Sequence, residues 1–177
     1  MIKKKFFIIP LLLFSLILIT FFYLLLLDRN PSTIPSSLLN KKFPSFETDY
    51  LLKEGKFLSS SEIESELVLV NFFATWCKPC REEHKYIQLI KKEKNIKIIG
   101  INYKDNSKKT IQWLKELGNP YSSIATDKTG RVSIEWGVYG IPETFIIDKS
   151  GLIKYRLVGA INKKRYKEIS SLIDKFK

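Results

Sequence analysis

Leu67-Val68-Leu69-Val70-Asn71-Phe72-Phe73 runs through Ala74-Thr75-Trp76 into Cys77-Lys78-Pro79-Cys80, and this stretch decides the fold. Its first seven residues are almost continuously apolar and rich in β-branched and aromatic side chains, the pattern of a strand buried on both faces. Lys78 to Lys94 then follows helical period, with Tyr86, Ile87, Leu89 and Ile90 apolar and Lys or Glu between them. The chain has two cysteines, and both fall at this strand-to-helix turn. A disulfide across two intervening residues restrains the unfolded chain little. It therefore suits a bond that opens and closes as chemistry, whereas a structural staple would close a longer loop.

The roles of the two thiols follow from their positions. Cys77 falls at the helix N-terminus, where unpaired N–H groups and the helix dipole favour a thiolate, so it is the attacking sulfur. Pro79 suits the first turn, where a missing N–H costs nothing. Cys80 lies one turn further in and resolves the mixed disulfide. Trp76 is expected to pack beside the pair and limit water access. Glu83, three residues after Cys80, reads either as a carboxylate that exchanges a proton with Cys80 or as a surface helix residue. His84 is the one histidine. With Cys77 and Cys80 it makes three candidate metal ligands where a structural zinc site wants four, so no metal is expected, and His84 reads as a surface residue near the site.

Working outward, Ile96 to Ile101 is a second buried strand, and Lys108 to Leu117 a helix stopped by Gly118-Asn119-Pro120. A short strand at Ser122 to Thr126 precedes Asp127-Lys128-Thr129-Gly130 and a helical stretch toward Trp136. Thr144 to Asp148 and Leu152 to Arg156 flank Lys149-Ser150-Gly151 as a hairpin. A last helix covers about Lys163 to Phe176, with Asn162 as its N-cap. Upstream, Gly55 marks a turn between two short strands. The order β-α-β-α-β-α-β-β-α predicts an α/β fold with one mixed sheet and helices on both faces.

At the start of the chain, Lys3-Lys4-Lys5 precedes Phe6 to Leu27, whose only polar members are Ser15 and Thr20. That length crosses a bilayer core, and no small-x-small cleavage pattern follows it. The reading is a signal anchor at 6–27, with residues 1–5 held cytoplasmic by their lysines. A Pro- and Ser-containing linker at 28–42 follows, then one folded domain at 43–177 outside the cytoplasm. The net charge of +12 is spread as scattered lysines with no nucleic-acid motif, so it reads as solvated surface and excludes a nucleic-acid partner.

Four blocks resemble one family. Phe73 to His84 is similar to the active-site segment of membrane-anchored thioredoxin-like proteins, and Gly137-Val138-Tyr139-Gly140-Ile141-Pro142-Glu143-Thr144-Phe145 to their second active-site segment. Gly100-Ile101-Asn102-Tyr103-Lys104-Asp105 and Trp113 to Tyr121 add two further matches. Together they resemble the thiol:disulfide interchange proteins of cytochrome c biogenesis, the CcmG/DsbE family. The resemblance implies a thioredoxin-like fold and a cis Ile141-Pro142 bond set against the cysteine pair. It also implies that Glu143 lies beside the pair and acts with Glu83, and that Asn71 stands where ordinary thioredoxins carry a buried Asp. The implied work is reduction of disulfides in apocytochrome c, or in a cytochrome c assembly protein. A membrane thiol-electron transporter is the implied donor, and the only redox group is the Cys77–Cys80 disulfide. The implied place is the inner membrane, single-pass, with the domain in the periplasm. A general extracytoplasmic disulfide reductase and a tethered metal-binding assembly protein using Cys77, Cys80 and His84 are the alternative readings.

Overall fold

The computed structural model describes residues 2–26, 38–53, 55–63 and 66–177. Helix α1 (Ile2–Leu26) contains a stretch, Ile8–Leu26, that is long and apolar enough to cross a membrane. At 1.5 Å per residue its 19 residues reach about 28 Å, close to the thickness of a hydrocarbon core. Its one hydroxyl with a resolved bond, Thr20, donates to the Leu16 carbonyl at 2.8 Å and so needs no water. Leu27 and most of the expected linker lie outside the described residues.

Two short strands, β1 (Glu47–Asp49) and β2 (Phe57–Ser59), pair antiparallel around the turn that contains Gly55. The main sheet comprises β3 (Val68–Phe73), β4 (Lys97–Tyr103), β5 (Ser123–Asp127), β6 (Glu143–Ile147) and β7 (Ile153–Val158), in the order β5-β4-β3-β6-β7. β3 is parallel to β4 and antiparallel to β6, and β3 lies at the centre. That position explains why every residue of β3 is apolar except Asn71: both faces are covered. The remaining helices are α2 (Lys78–Lys94), α3 (Ser107–Leu117), α4 (Arg131–Glu135) and α5 (Lys163–Phe176). The mixed sheet with helices on both faces is the architecture read from the sequence.

Alternation along β3 sends its side chains into two cores. Leu69 and Phe73 join Ile87, Ile90, Trp113, Leu114, Ile169 and Ile173 under α2, α3 and α5. Val68, Val70 and Phe72 face the other way, toward Trp136. Trp136 is fully buried, with Phe72, Phe145 and Phe43 rings 5.5, 5.3 and 5.9 Å from its own. Phe43 reaches this core because the chain is already held upstream of it. Asn40 N–H donates to Ile153 O at 2.8 Å, and Ile153 N–H donates to Lys41 O at 3.0 Å. Asn40 and Lys41, at the end of the expected linker, are thus paired with the edge hairpin.

Gly100 in β4 faces the first core at a point where only hydrogen fits. A Cβ there would stand 2.8 Å from Phe73 Cε1 and 3.0 Å from Tyr121 Cδ1, two rings already stacked at 4.7 Å. Neither ring can bend away, so Gly100→Ala is expected to lower stability by about 1–3 kcal/mol. The measurement is the urea midpoint, read with an unchanged far-ultraviolet dichroism spectrum.

Candidate active site at the Cys77–Cys80 disulfide

The strand-to-helix turn presents both sulfurs at the C-terminal end of the central strand. Cys77 is the N-cap of α2, with extended backbone (φ −86°, ψ 106°), and Pro79 occupies the first turn. Cys77 and Cys80 are joined as a disulfide, and both are nearly buried, at 5% and 2% exposure. The Cys80 N–H points at Cys77 Sγ from 3.1 Å. In the reduced protein that N–H and the helix dipole stabilise a Cys77 thiolate. The Ile141-Pro142 bond is cis, and Ile141 O lies 3.7 Å from Cys77 Sγ. The second active-site segment therefore meets the first at the sulfur expected to attack.

A cleft of about 280 Å³ opens beside the pair, lined by Trp76, Tyr103, Val138, Tyr139, Gly140 and Ile141. Trp76 and Tyr139 stay 59% and 61% exposed, and Trp76 forms one wall of this open cleft. Its indole N–H donates to Lys104 O at 3.2 Å.

The turn itself is braced by Asp105, a residue that local sequence reading missed. Asp105 accepts from Thr75 N–H at 2.6 Å, from the Thr75 hydroxyl at 2.9 Å and from Asn102 Nδ2 at 3.1 Å. Burial opposes its charge, but these donors and Asn106 N–H together hold the carboxyl below the ordinary Asp range. The available signal was the Asn102-Tyr103-Lys104-Asp105 block. β4 is parallel to β3 with Asn102 opposite Phe73, so the residues after one strand end beside those after the other.

Beneath the disulfide lies a polar chain in an apolar core. Glu83, one helical turn beyond Cys80, is 1% exposed. Asn71 Nδ2 donates to its Oε1 at 2.9 Å, and Ile161 N–H donates to its Oε2 at 2.8 Å. The Tyr121 hydroxyl donates to Asn71 Oδ1 at 2.9 Å, and Asn71 Nδ2 also reaches Thr144 Oγ1 at 3.1 Å. Burial pushes the Glu83 carboxyl up to about 7, against the lowering pull of Ile161 N–H and Asn71. Of the two readings open for Glu83, the surface one is excluded.

His84 is a correction. It is not on the surface but 3% exposed, its ring edge-on to Trp113 at 4.3 Å. Its Nε2 lies 2.8 Å from Gly118 O and so carries the proton, while Nδ1 is buried without a partner. Burial lowers its pKa, so the ring stays neutral. The cause is α3, which covers this side of α2 and is remote in sequence. Among the described residues no group of three or more His, Cys, Asp or Glu is placed to hold a metal ion.

Glu143 is a second correction. It pairs with Phe72 across β3 and β6, while Asn71 pairs with Thr144. By strand alternation its side chain points to the face opposite the Asn71–Glu83 chain. There it is fully buried, forms an ion pair with Arg156 at 2.7 Å and accepts from Tyr139 N–H at 3.2 Å. Glu83 and Glu143 are not brought together.

A central strand ending in a Cys-x-x-Cys helix cap, faced by a cis-proline loop, defines a thioredoxin-like thiol-disulfide oxidoreductase. Comparison with known proteins agrees. Residues 38–173 match the Redoxin family. The chain is 40% identical over 168 residues to the thiol:disulfide interchange protein DsbE of Vibrio cholerae, covering 93% of this chain and 91% of that one. It is 39% identical over 181 residues to DsbE of Escherichia coli K12, covering 98% and 96%. A crystal structure described as a putative DsbE from Chlorobium tepidum superposes with a TM-score of 0.66 at 21% identity, covering 78% of this chain and 98% of that one. The chain belongs to the Redoxin family and, within it, to the DsbE thiol:disulfide interchange proteins.

Proposed function

We propose that this protein is a membrane-anchored reductase of the inner membrane whose periplasmic domain keeps the haem-binding cysteines of apocytochrome c, or of an assembly partner carrying them, as free thiols. Reduction proceeds in two exchanges. The Cys77 thiolate attacks one sulfur of the client disulfide; that bond breaks, a mixed disulfide forms, and one client thiolate leaves. Cys80 then loses its proton to Glu83 and attacks Cys77 Sγ. The mixed disulfide breaks, the second client thiolate is freed and the Cys77–Cys80 bond closes. Two electrons pass to the client, and a membrane thiol transporter returns two to the pair.

The observation that carries the reading is the open aromatic cleft beside Cys77, built from the Tyr103 and Val138–Ile141 blocks. A general exchanger has no need of so particular a wall, whereas a dedicated reductase needs a seat for one client segment. The helix α1 supports the anchoring.

The test is capture in cells with Cys80→Ala. The mixed disulfide at Cys77 then cannot be resolved, and attached clients are identified by mass spectrometry. Apocytochromes c or their assembly proteins among the captured chains are the expected result. A broad set of unrelated exported proteins overturns it in favour of a general reductase. An empty trap, with zinc or copper retained by the wild-type chain, overturns it in favour of a metal-binding assembly role.

A further inference from the structure

Tyr139 and Ile141, which wall the client side of Cys77, sit on a loop with no regular structure between α4 and β6. Something must hold that loop in one shape, and the holding group lies outside every motif of the sequence. Arg156, on β7, has a side chain only 8% exposed. Its Nε donates to Glu143 Oε2 at 2.7 Å, and its terminal Nη2 donates to Gly137 O at 2.7 Å. Its guanidinium lies 5.3 Å from the centre of the Tyr139 ring. Glu143, held by the same guanidinium, accepts from Tyr139 N–H through its other oxygen. One planar fork thus grips the loop at Gly137, at the Tyr139 backbone through Glu143, and at the Tyr139 ring.

We propose that Arg156 is a positioning residue for client binding: it sets the Gly137–Ile141 loop, and with it the wall of the cleft beside Cys77, without touching the reacting sulfurs. Lysine cannot replace it. An ammonium on a flexible stem reaches Glu143 as a point charge but cannot engage Gly137 O and stack under Tyr139 at once. Loosening the loop weakens client binding before and during exchange alike, so the effect falls on KM. The inference rests on disulfide exchange at Cys77 and is independent of which client the protein serves.

Two variants of the full chain test it. Arg156→Lys keeps the buried Glu143 charge paired. Arg156→Met combined with Glu143→Gln removes both charges at similar volume, so neither leaves a lone buried ion. The substrate is a synthetic peptide closed by a Cys-x-x-Cys disulfide, and excess dithiothreitol returns two electrons to the Cys77–Cys80 pair after each turnover, its direct reaction with the peptide being subtracted. The expected result is a KM raised about tenfold with kcat within about twofold of wild type, in both variants. An unchanged KM in both variants overturns the proposal. So does a fall in kcat with KM unchanged, because that places the influence of Arg156 at the sulfurs and not at the client surface. Capture by the Cys80→Ala chain reports separately on client identity, so failure of one reading is not failure of the other.

Discussion

A Cys77→Ala chain is expected to lose peptide-disulfide reduction by more than about a thousandfold, as removal of a nucleophile does where several groups act as a unit. Cys77 is the sulfur at the helix cap, met by the Cys80 N–H at 3.1 Å, and its neighbour Trp76 lines the open cleft. Cys80 is one turn further in and nearly buried. Cys80→Ala should therefore differ in kind: it makes the first exchange at close to the normal rate and then stalls as a mixed disulfide. Stopped-flow tryptophan fluorescence, with Trp76 adjoining the pair, separates the two steps. Stability distinguishes this chemistry from a staple. A loop this short restrains the unfolded chain by only about 2 kcal/mol, so Cys77→Ala should lower stability by no more than that while abolishing activity. A large shift with activity retained would show a structural disulfide.

Replacing Glu83 by Gln should alter two pH profiles. Burial raises the Glu83 carboxyl from 4.5 to about 7 in the folded chain. Between those values the folded state holds a proton that the unfolded state has released, so stability falls as pH rises through this window and levels off above about 7. The span corresponds to roughly 3 kcal/mol. In Glu83→Gln this slope should vanish, as checked by chemical denaturation at intervals from pH 4.5 to 8. The second profile is kinetic. As acceptor for the Cys80 proton, Glu83 must be ionised, so resolution of the mixed disulfide should quicken up to about pH 7 and then flatten. In Glu83→Gln the rate at pH 7 should drop about a hundredfold and climb with the ionisation of Cys80 itself. An identical kinetic profile in the variant would remove Glu83 from the reaction.

The pattern of the chain made the element order legible, because strands buried on two faces and helices buried on one leave different periods. It also located the chemistry, since two cysteines at a strand-to-helix turn have few other uses. Element ends were less legible. β4 runs to Tyr103 beyond the apolar run that ended at Ile101, because β5 continues to pair with it. The burial of Glu83 and His84 was not legible. A polar pair on an amphipathic helix reads as solvated surface until α3, the α5 approach and Tyr121 arrive to cover it. Nor was the side on which Glu143 lands, which depends on strand register and on Arg156 thirteen residues later.

By itself, then, the sequence determined the α/β order, the redox pair and which sulfur caps the helix, all set by residues near one another in the chain. Only the tertiary structure decided that Glu83 titrates near neutrality in a chain with Asn71 and Tyr121, that Asp105 braces the cysteine turn, and that Arg156 shapes the client wall. Each of these depends on groups from separate elements meeting in buried or half-buried surroundings, and neither burial nor partner is encoded in a local period.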